Sequence, residues 1–128
     1  MIAPVYLHDW KRTGFDGMVN DFFYDWGRLI SQSALEQIEG IEVLLASYSN
    51  EMYDGDAFVL FRKDGKLYEV NAGHCSCYGL ENQWEPEETT IDALVHRINE
   101  GALGKHYYQQ NVFADELVNV IEQLSKGM

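Results

Sequence analysis

Residues 57–70, AFVLFR-KDGK-LYEV, constrain the fold of this chain more than any other stretch. Two runs rich in branched and aromatic residues flank an Asp-Gly pair. Asp64 and Gly65 can both take positive φ, which is what a type I′ hairpin turn requires. Lys63 and Lys66 sit on either side, where they keep the turn hydrated and discourage pairing with a foreign strand. A lone hairpin is marginal in water and needs a further strand and packed helices. The run IEVLLASY, residues 41–48, supplies that strand, leaving Gly40. Between the two, SNEMYDGD reads as a loop, with Asp54-Gly55 as its turn signal.

The remaining segments carry helical periodicity. Val19, Phe22, Phe23, Trp26 and Ile30 fall at i, i+3, i+4, i+7 and i+11, so residues 16–32 read as a helix with an aromatic core face. Asp21 and Asp25 lie off that stripe. Ser33 to Glu36, SALE, has the pattern of a capping box, and a short turn to Glu39 would close at Gly40. Thr89 or Thr90 would cap a helix with Ile91, Leu94, Val95 and Ile98 on one face, ended by Gly101. Residues 101–110 read as an irregular connection. A last helix, 112–125, would bury Phe113, Leu117, Val120, Ile121 and Leu124. The expectation is an α+β domain spanning residues 1–128. It is a small three-stranded antiparallel meander, covered on one face by about four helices, in the order α-α-β-β-β-α-α. At 128 residues and 46% hydrophobic content, a single core needs no staples.

Charge narrows the partners. Nine Lys and Arg stand against 21 Asp and Glu, a formal net charge of −12. Neither 29–61 nor 67–96 contains a Lys or Arg, and each holds six acids. Such a surface repels nucleic acid and anionic membranes, because binding phosphate requires cations to displace its counterions. It suits a basic protein surface, although acidity by itself also serves solubility. The N-terminus lacks a basic segment followed by an apolar one, and no run of about 18 apolar residues exists. Two cysteines do not make a disulfide framework. A cytoplasmic setting is the expectation.

Residues 71–88, NAGHCSCYGLENQWEPEE, gather both cysteines, one histidine and one tryptophan. His74, Cys75 and Cys77 form a candidate metal set, with zinc as the cofactor they would select and His8, His96 or His106 as a fourth ligand. The C-x-C spacing is not the usual C-x₂₋₄-C of zinc sites. In an extended chain, Cys75 and Cys77 share one face and His74 the other. A nucleophilic thiolate needs a cation or helix N-terminus to lower its pKa, whereas Glu81, Glu85, Glu87 and Glu88 would raise it. A Cys75–Cys77 disulfide would close a strained ring. A structural reading accounts for most of the segment: cysteines face the core, Gly73 and Gly79 permit tight turns and Trp84 plugs the core edge. Glu87 and Glu88 then stand before a helix N-terminus, where the macrodipole favours negative charge. No nucleotide-binding, nucleophile-elbow or zinc-protease motif is present.

The strings HCSCYGLE (74–81) and QWEPE (83–87), preceded by FVLF and DGKLYEV, resemble a segment shared by a group of short proteins of tailed phages and prophages. The resemblance spans residues 57 to about 94. It implies a phage setting and a small acidic accessory protein. Such a protein would act without catalysis, by stoichiometric binding to a host, defence or phage protein with a basic surface. The candidate contacts are Glu81, Trp84, Glu85, Glu87 and Glu88, joined by Asp54 and Asp56 if the sheet edge lies close. Two alternatives stand beside it: a small metal- or thiol-dependent enzyme using His74, Cys75 and Cys77, and a virion or assembly component.

Overall fold

The computed structural model describes residues 3–25, 28–29, 32, 36–51, 54–74, 80–81, 83–101, 103–106 and 110–126. Its centre is a five-stranded mixed sheet. In chain order the elements are β1 (Val5–His8), α1 (Gly14–Phe23), β2 (Tyr24–Asp25), β3 (Arg28–Leu29), β4 (Glu42–Glu51), β5 (Asp54–Lys63), β6 (Lys66–His74), β7 (Glu87–Thr89), α2 (Ile91–Glu100), β8 (Lys105–His106), β9 (Gln110–Asn111) and α3 (Ala114–Lys126). The main sheet runs β1-β4-β5-β6-β7. β1 is parallel to β4, and the other pairs are antiparallel.

The hairpin forms as the sequence demands. Lys63 pairs with Lys66, and Asp64 and Gly65 take φ of 54° and 78°. The expected three-stranded meander does not hold, because β1 and β7 extend it on both edges and β1 makes the sheet mixed. Three helices surround it among the described residues, not the expected four; residues 33–35 of the capping-box segment lie outside the described residues. α1 ends at Phe23, where Tyr24 turns extended (φ −124°, ψ 143°), so the expected helix over 16–32 is shortened. The Asp54-Gly55 turn is also corrected. Pairing continues through Asn50↔Gly55 and Glu51↔Asp54, which places both residues inside β5.

The sheet is covered on both faces, not one. Residues 57–61 are all buried, and alternate side chains leave on opposite sides. Ala57, Val59 and Phe61 join Trp10, Met18, Phe22 and Phe23 around α1. Phe58 and Leu60 join Leu94, Ile98, Leu117, Val120, Ile121 and Leu124 under α2 and α3. A bulge at Leu44 adjusts β4 to this division. Val43 faces Phe61 while Leu45 faces Leu60, so Leu44 is the extra residue, and Leu44 and Leu45 enter the same cluster.

Local chemistry fixes the helix ends. Thr90 Oγ1 accepts the Ala93 amide at 3.1 Å, capping α2, and the Gly101 amide closes it on Arg97 O at 3.1 Å. Before α3, the Gly104 carbonyl accepts the amides of Val112, Phe113 and Ala114 at 2.8, 3.0 and 3.1 Å. Gly104 has φ +79°, and a Cβ there would lie 2.6 Å from the Ala114 nitrogen, so glycine is required.

Candidate interaction surface

The segment leading into β7 is held from two sides. The Gln83 amide clamps the backbone of β6: its Oε1 accepts from Gly73 N at 3.0 Å and its Nε2 donates to Gly73 O at 2.7 Å. This side chain therefore stands in for a strand partner four residues past the last residue that β7 pairs, Glu69. Next to it, Trp84 is half-buried. It stacks on Phe61 (centroids 5.6 Å apart, 12° between planes) and meets Phe22 edge-on at 5.1 Å. The plug expected from the sequence is thus built of aromatic contacts with α1 and β5.

The five candidate contact residues fall in three places. Glu87 and Glu88 are exposed on β7, as are Glu85 just before it and Asp92 in the first turn of α2. Among the described residues, no strand pairs with β7 on its outer side. Lys66 approaches Glu88 at 4.0 Å with both side chains more than half exposed, a contact that contributes little. Trp84 belongs to the core edge, and half-buried Glu81 lies elsewhere. Glu81 joins Asp21 and Asp9 in acting on Tyr48, whose phenol is pushed up to about 12 by burial first and then by those three acids, Asp21 foremost. Trp10 Nε1 donates to Asp21 Oδ2 at 2.7 Å beneath the same group. Tyr6 is raised likewise, by burial and then by Asp16. Asp56 is exposed on β5, and Asp54 lies at its start.

One acid is internal. Glu69 is 5% exposed, and its Oε1 accepts from Arg97 Nη1 at 2.5 Å and from Asn71 Nδ2 at 3.1 Å. Its Oε2 is buried with no hydrogen-bond partner. Glu87 lies directly opposite Glu69 across the β6–β7 pair, so Arg97 offsets a locally dense negative charge. The sequence reading missed this pair. A Glu in the strand run LYEV with an Arg on the following helix was the available signal.

The metal candidates are only partly described. His74 ends β6, while Cys75 and Cys77 lie outside the described residues. His8 ends β1 with φ 60°, and its Nε2 is 2.8 Å from Val112 O. His96 is exposed on α2, and His106 lies in β8. Among the described residues, no group of three or more His, Cys, Asp or Glu side chains is placed to hold a metal ion. No helix among them is long and apolar enough to cross a membrane.

Two clefts open at the β5–β6 hairpin end of the sheet. One of about 500 Å³ opens beside Leu67, Thr89, Ile91 and Leu124, on the α2–α3 face of the sheet. The other, of about 300 Å³, opens beside Phe61, Lys63, Tyr68 and Pro86, on the α1 face. Compared with models of protein families, with characterised proteins and with solved structures, the chain matches none.

Proposed function

We propose that this chain is an acidic accessory protein of phage type that acts by stoichiometric binding to a host, defence or phage protein with a basic surface. Catalysis is not part of this reading. The observation that carries it is the exposure of Glu87 and Glu88 on the edge strand β7, with exposed Glu85 before it and Asp92 after it, in a chain of net charge −12. Two carboxylates on this short edge, with one more on either flank, raise the local negative potential, which speeds encounter with a cationic surface and selects against anionic ones. The same potential argues against direct binding to nucleic acid or anionic lipid. The setting it fits is the host cytoplasm.

The test is capture from host lysate by the immobilised full chain at about 50 mM and about 500 mM salt, where the screening length drops to a few ångströms. The reading expects a partner retained in near-equal molar amount at low salt and released at high salt. Recovery of no salt-sensitive partner sinks it.

A further inference from the structure

We draw no further inference here: the strongest candidate, the cleft of about 500 Å³ at the hairpin end of the sheet with Leu67, Ile91 and Leu124 in its wall, has both of its cations already facing acids, Arg62 on Glu42 and Lys66 towards Glu88, and nothing in the structure shows what covers it.

Discussion

Replacing Arg97 by Met removes the cation from Glu69 while keeping most of the side chain's volume. The carboxylate is 6% exposed by side chain and its Oε2 already lacks a partner. Stranding a buried charge by removing its partner costs about 3–5 kcal/mol in a closed interior. Arg97 is 40% exposed, so water reaches its side of the pair and the cost falls to about 2 kcal/mol. Glu69→Gln removes the charge but keeps the Oε1 acceptor for Arg97 and Asn71, and should cost under about 1 kcal/mol. The double variant has no buried charge left to strand. It should therefore be more stable than Arg97→Met alone. Urea unfolding followed by tryptophan fluorescence resolves this, since about 2 kcal/mol moves the midpoint by about 1 M at an ordinary slope. A double variant as unstable as the sum of the single ones would refute the reasoning, because it would show that the two side chains act independently.

Two further perturbations test other joints of the fold. Gly104→Ala forces a Cβ against the Ala114 backbone at positive φ, so a loss of about 2–4 kcal/mol is expected by the same denaturation assay. Tyr48 keeps its proton to about pH 12 in the folded state, whereas the unfolded phenol loses it near 10. Its contribution is thus complete below pH 10 and is lost as pH rises from 10 to 12; Tyr48→Phe should flatten the fall in melting temperature across that interval.

What the sequence could reveal depended on how local the cause was. The Asp64-Gly65 turn, the Thr90 cap and the apolar face of α3 are set by residues within a few positions of each other, and each formed where expected. β1 was missed because VYLH is too short to show a period and its partner β4 lies about forty residues away. The covering of both sheet faces was legible in AFVLF, an unbroken apolar run of the kind that a strand buried on two sides requires, but it was read as one-sided. The reach of helix α1 was overestimated because Trp26 and Ile30 continue the stripe on paper, whereas the chain turns extended at Tyr24. In the candidate surface, Glu85, Glu87 and Glu88 were named from sequence and lie on β7 or just before it. The placing of Glu81 beside Tyr48, and the burial of Glu69 under Arg97, depend on tertiary contacts across more than twenty residues.

The central claim is that the acidic β7 edge is where this chain meets its partner. Its most direct test compares quantitative capture from host lysate at about 50 mM salt by the wild-type chain and by E85K/E87K/E88K, after matched melting temperatures confirm that both are folded. The account predicts that the salt-sensitive, near-equimolar partner is lost from the variant by at least tenfold. The same partner recovered in equal amount by both chains would contradict it.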